Sequence, residues 1–182
     1  MSAKLLLSAQ ELRLVTDPAW ILTKNSIVRK VVEMFSGLCD EWREMLDSPT
    51  EPKISRGEQY KGLPWVMLDY PRVFGKEDVM AVRTMFWWGH GFSVTLHLKG
   101  EFLRTYLPVI LDRRAALEDA GFMPGTAEDE WEHEHTPGTW EDMGTRPFLK
   151  LSVNVGFDKW NKAPEILTEK FTALVQILVA NR

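Results

Sequence analysis

The sequence predicts an α+β fold: a mostly antiparallel sheet of about four strands with three main helices packed on one face. Three observations carry this. Val82 to Lys99 consists of two runs of aromatic and β-branched residues around Gly89-His90-Gly91, the pattern of a β-hairpin. Phe148 to Phe157 alternates apolar and polar residues, as a strand buried on one side does. Three other stretches place apolar residues every three or four positions, the period of a helix facing a core.

Taken in order, Ser8 to Leu14 reads as a short helix. Thr16-Asp17-Pro18 reads as a turn, or as the cap of a second short helix through Trp20. Ser26 to Leu46 is the first long helix, with Val28, Val31, Phe35, Leu38, Trp42 and Met45 on one stripe. Val32, Cys39 and Leu46 widen that stripe; Asn25 or Ser26 caps it, and Ser48-Pro49 ends it. Pro49 to Gly62 is polar and without periodicity, and reads as a loop. Leu63 to Tyr70 is a strand, with Pro64 near its start where a missing donor is tolerated. Pro71 and Gly75 punctuate the way to a single helical turn, Lys76 to Met80.

In the hairpin, a three-residue loop over 89–91 pairs Trp88 with Phe92, Phe86 with Val94, and Thr84 with Leu96. Phe86, Trp88, Phe92, Val94, Leu96 and Leu98 then face the core. Arg83, Met85, Trp87, Ser93, Thr95, His97 and Lys99 take the other face. A two-residue loop would turn Trp87 inward instead. Phe102 to Ala120 is helical, stopped by Gly121; Pro108 either sits in the first turn of a helix starting near Thr105 or kinks it. Pro164 opens the last helix, whose stripe is Leu167, Phe171, Leu174 and Leu178.

The 182 residues fit one domain spanning 1–182, with an acidic insertion at about 124–146. Glu128 to Asp142 holds seven carboxylates and no Lys or Arg, which leaves 22 basic against 19 acidic residues elsewhere. The net charge of −4 gives no electrostatic footprint for a phosphate backbone, so nucleic acid is not expected as a partner. The single cysteine, Cys39, excludes an intramolecular disulfide and suits a reducing compartment. The apolar run Leu5 to Leu7 is too short for a secretory leader, and no uncharged apolar stretch reaches membrane-spanning length. These readings point to a cytoplasmic chain without a membrane partner.

The second face of the sheet is the first candidate for function. Arg83, Trp87, Thr95, His97, Ser152 and Asn154 would line it, combining an apolar wall, directional donors and acceptors, and a cation. A solvated sheet face has the same alternation, but seldom includes Trp87 beside Met85. The second candidate is Glu132-His133-Glu134-His135. On an extended strand His133 and His135 project the same way and would ligate one divalent transition metal, with His90 or His97 as third ligand. A mobile acidic loop is the competing reading. His90 between its glycines serves a tight turn as readily as a ligand contact. Ser93 or Ser152 near His97, and Asp69 as a general base, are conceivable but incomplete constellations.

Eight tryptophans against three tyrosines add weight to binding. Trp42 and Trp88 belong to the core pattern, whereas Trp131 and Trp140 lie in the acidic segment, as partner surface or as anchors. The sequence therefore favours a non-catalytic module that binds a small molecule or a protein partner through the sheet face, without a cofactor. A homodimer would account for exposed tryptophans. The alternative is a small metal-assisted hydrolase on His133 and His135, or an acid/base enzyme around His97.

Overall fold

A computed structural model describes residues 5–180. It has an α+β fold built on one antiparallel sheet, but with six strands and five α-helices where about four strands and three main helices were expected. The strands are β1 (Lys53–Tyr60), β2 (Leu63–Phe74), β3 (Val79–Trp87), β4 (Gly91–Lys99), β5 (Met123–Pro124) and β6 (Phe148–Val155), in spatial order β1-β2-β3-β4-β6-β5. The helices are α1 (Ala9–Thr16), α2 (Pro18–Met45), α3 (Glu101–Asp112), α4 (Arg114–Asp119) and α5 (Ala163–Leu178). No helix among the described residues is long and apolar enough to cross a membrane.

One sheet face and the helices make the main core. Val66 and Leu68 of β2, Val82 and Phe86 of β3, Val94 and Leu96 of β4, and Leu151 of β6 are all buried against them. From the helices come Val31, Phe35 and Trp42 of α2, Ile110 of α3, Leu117 of α4, and Leu167 and Phe171 of α5. Trp42 stacks on Phe171 with ring centroids 4.0 Å apart, and its indole N–H donates to the Thr168 hydroxyl at 3.1 Å. An indole buried in this way keeps its packing area and its hydrogen bond together.

The departures from expectation have local causes. Pro49 to Gly62 is not all loop, because Lys53–Tyr60 forms edge strand β1. An edge strand needs to bury little, and here Ile54 packs against the core while polar residues keep the edge unattractive to other strands. At Gly57 a Cβ would meet the Trp65 indole at 2.7 Å, so the glycine makes room for that ring. Lys76 to Met80 is not a helical turn. Gly75 N–H donates to the Asp78 carbonyl at 2.8 Å, closing a tight connection from β2 into β3.

The hairpin register is slipped by two residues from the expected one: Trp87 faces Gly91, Phe86 faces Phe92, and Thr84 faces Val94. Two residues is the strand period, so every side chain keeps its expected face. The loop is Trp88-Gly89-His90, and Gly91 has φ +107°, with its Cα so close to β6 that a Cβ would meet the Val155 carbonyl at 2.6 Å. The helix expected over Phe102 to Ala120 begins at Glu101 and breaks at Arg113 into α3 and α4, leaving Pro108 inside α3. β6 ends at Val155, so Phe157 lies outside it in a 3-10 stretch.

The cap of α2 is Asp17, whose carboxylate accepts from Ala19 N–H at 2.9 Å, rather than Asn25 or Ser26. The long helix therefore runs back through Trp20. Its buried residues begin only at Val28, which is why the core periodicity of the sequence starts there. Replacing Phe171 by alanine opens a cavity under Trp42, and the expected cost is about 3–5 kcal/mol in urea unfolding. Leu111→Ala on the exposed side of α3 should cost less than about 0.5 kcal/mol in the same assay.

Candidate functional site

The other sheet face carries a second, smaller apolar cluster of Met67, Met85 and Trp87, with Tyr60, Leu63 and Trp65 packed against it. Beside this cluster the face turns polar. Cross-strand registers align Asp69, Arg83, Thr95 and Ser152 in one row across β2, β3, β4 and β6. A neighbouring row brings Ala81, His97 and Lys150 together, and another brings Met85, Ser93 and Asn154. Arg83 is held in a two-pronged pair with Asp69, at 2.7 and 3.2 Å. Asp69 is thereby committed to the guanidinium. Thr95 and Ser152 hydroxyls bond each other at 2.7 Å.

This face is covered by the acidic segment. Its two ends are tied together: Thr126 N–H donates to the Thr136 carbonyl at 3.0 Å, and Gly138 N–H to the Pro124 carbonyl at 2.7 Å. Gly125 N–H donates to the Lys150 carbonyl of β6 at 2.8 Å, fixing that closure to the sheet. Residues 126–136 thus form a closed loop of the compact kind that packs on its own side chains; we refer to it as the strap. Lys150 Nζ donates to the Glu132 carbonyl, and Lys99 Nζ pairs with Glu130 at 2.8 Å. The Tyr60 hydroxyl donates to the Glu132 carboxylate and accepts from His133 N–H at 2.8 Å and Glu134 N–H at 3.1 Å.

The strap leaves two connected spaces above the sheet, sharing Met85, Ser93 and residues 133–135. The inner one, over Arg83, Thr95, His97, Lys150 and Ser152, is about 20 Å³. That is scarcely more than one water-sized sphere occupies. The outer one, toward the hairpin, is about 150 Å³ and is lined by Trp87, His90, Ser93, His133, His135 and Asn154 among others. His90 stacks on Trp87 at 3.4 Å between centroids. A larger groove of about 440 Å³ on the helix side, between Ile27, Trp88, Phe157 and Trp160, is apolar apart from Lys30. It offers little to orient a ligand.

All six sheet-face residues singled out from the sequence line one or other of the two connected spaces, and so do His133 and His135. His133 and His135 do not form part of any group of three or more His, Cys, Asp or Glu placed to hold a metal ion; none exists among the described residues. His133 Nδ1 lies 3.4 Å from Arg83 Nη1, so that nitrogen faces a guanidinium. The two tryptophans of the acidic segment divide. Trp140 is buried beside the Arg114 guanidinium, whereas Trp131 is 45% exposed and touches His97 and Phe74 with its ring.

The site's charges follow from this geometry. Burial, with the Lys150, Arg83 and Lys99 cations nearby, pushes the His97 ring down to about 3. Burial and then Arg83 and Lys150 hold His133 down at about 4, and burial and Lys150 lower His135. His97 Nε2 is 3.5 Å from Glu130 Oε2, but the neutral ring makes this contact no ion pair. Burial and Arg83 also bring Lys150 down to about 8, against the pull of Asp129, Glu132 and Glu130. Burial pushes the Glu132 carboxyl up, but the Tyr60 hydroxyl, Glu134 N–H and Lys61 outweigh it and hold it at about 2.

Four polar atoms in this region are buried without any hydrogen-bond partner among the described residues: Trp87 Nε1, His135 Nε2, His97 Nε2 and Glu130 Oε2. Lys150 and Tyr60 were not among the residues singled out from the sequence. Lys150 had a signal, since it stands opposite His97 on the polar side of a strand that is otherwise strongly apolar. Tyr60 had none, because its strand carries no period. Compared with known protein families, characterised proteins and solved structures, the chain matches none.

His97 and His133 are neutral in the folded protein and take up a proton in the unfolded chain below their ordinary 6.5. From 6.5 down to about 4 the unfolded state binds more protons, so stability falls as the pH falls. Each ring contributes about 1.4 kcal/mol per pH unit in that window. His97→Gln should flatten the profile by about that amount, read by urea titrations at a series of pH values. A variant with the wild-type slope would show that the fold does not hold His97 neutral.

Proposed function

We propose that this chain is a non-catalytic binding module whose ligand is a small planar molecule bearing hydrogen-bond acceptors, held in the outer cleft between strap and hairpin. The observation that carries the reading is the pair of unpartnered ring nitrogens, Trp87 Nε1 and His135 Nε2, on residues lining that cleft. Buried polar atoms without partners are rare, and each costs on the order of 1–3 kcal/mol while it stays so. An indole N–H can only donate; the imidazole nitrogen donates or accepts according to its tautomer. A ligand with a carbonyl and an N–H satisfies both.

Size supports the same reading. A cavity of about 150 Å³ is the size that takes up benzene in an engineered apolar core. The wall is aromatic, through Trp87 and His90, with Ser93 and Asn154 as further polar contacts. The inner space beneath the strap is too small for an organic ligand. The same electrostatics argue against His97 and His133 as general bases, because rings held at about 3 and about 4 lie far below the range in which a general base works at neutral pH.

The test is calorimetric titration with benzamide and, as the control without polar atoms, toluene. Benzamide should bind, and toluene at least about tenfold more weakly. Trp87→Phe keeps the ring and deletes the N–H, so benzamide affinity should fall about tenfold while the free protein loses no hydrogen bond. Equal binding of the two probes, or unchanged benzamide affinity in Trp87→Phe, would refute the reading.

A further inference from the structure

Among the described residues, nine of the fifteen large apolar side chains that are exposed lie within residues 5–22. They include Leu7, Leu12, Val15, Trp20, Ile21 and Leu22, on α1 and the first turns of α2 and on the chain leading into them. No residue of α1 is buried, and α2 buries nothing before Val28. Scattered exposed apolar residues need no explanation, but a concentration of this kind marks an interaction surface.

The helices here are nonetheless well specified. Ser8 and Glu11 form a reciprocal capping box, and Asp17 caps the start of α2. Capping alone does not hold an eight-residue helix in water, where isolated helices shorter than ~12 residues are marginal. The arm formed by α1 and the start of α2 has two capped helix starts and lacks the buried face that would stabilise it.

We propose that a second copy of this chain supplies that face, the two arms packing into a four-helix bundle and making the protein a homodimer. Each chain contributes two connected helices, which is half of such a bundle. The nine side chains expose several hundred Å², on the order of the ~800 Å² per partner that a standard interface buries. Homodimer interfaces are also the more apolar class. Residues 5–23 carry only three charged side chains, Glu11, Arg13 and Asp17, so the arm has no electrostatic address for a charged partner. A helix that lies on a membrane surface needs a basic polar face, and Arg13 is the single basic residue here.

The inference is independent of the ligand cleft, and the experiment keeps them apart. Sedimentation velocity on the full chain at micromolar concentration should give twice the 21.0 kDa chain mass. The double variant Leu12→Glu, Leu22→Glu places charge on the arm without touching the core, and should sediment as a monomer. Its near-ultraviolet circular dichroism, to which the stacked Trp42–Phe171 pair of the core contributes, should equal that of wild type, which shows that the sheet and its helices are folded. A monomeric wild-type chain, or a dimer that survives the double variant, would overturn the proposal. So would a monomer that co-sediments with phosphatidylcholine–phosphatidylserine vesicles, which would assign the arm to a membrane surface.

Discussion

Lys150 is the residue on which the functional half of the molecule depends. It stands 8% exposed on a sheet face, beside the Arg83 guanidinium, and a lysine cannot be buried there without an oxygen to receive its protons. Asp69 is taken by Arg83. The oxygen comes instead from the backbone of Glu132, so the strap must cross the sheet where it does. Tyr60 then fixes the next two residues through their N–H groups. What reads in the sequence as surplus acidity is a cover that meets the cations of the sheet with backbone and carboxylate alike, the Glu132 carbonyl taking Lys150 and the Glu130 carboxylate taking Lys99.

That cover changes the meaning of the sheet face. A polar face open to solvent would titrate and bind as ordinary surface. Under the strap the dielectric falls, the two cations lower the histidines, and three imidazoles become neutral hydrogen-bonding groups. The strap fills the inner part of the face and leaves the outer part, next to Trp87, as a cleft. The site is therefore shaped jointly by β3, β4, β6 and the strap, and no single stretch of chain contains it.

The elements that bury a continuous stripe were legible in the sequence: the core of α2 from Val28, the β3–β4 hairpin faces, β6 and α5. Burial imposes a period, and a period can be read. β1 and the arm bury almost nothing, so β1 read as a loop and the first turns of α2 as a turn or a separate short helix. The two-residue slip of the hairpin was invisible because both registers give the same faces; only the approach of Gly91 to the Val155 carbonyl distinguishes them. In the site, the residues of the sheet face followed from alternation. The path of the strap over them did not, since it depends on Lys150, Tyr60 and a loop closure far apart in the chain.

The central claim is that the Trp87 indole N–H waits in a cleft for an acceptor. Its most direct measure is the indole region of a ¹H–¹⁵N correlation spectrum, with the Trp87 resonance assigned by its loss in Trp87→Phe. Saturation with benzamide should move that resonance downfield, the direction of a newly formed hydrogen bond, and leave Trp42 in place, because Trp42 already donates to Thr168 in the opposite layer. A Trp87 resonance that stays fixed while benzamide binds, or while other indoles shift, would contradict the account.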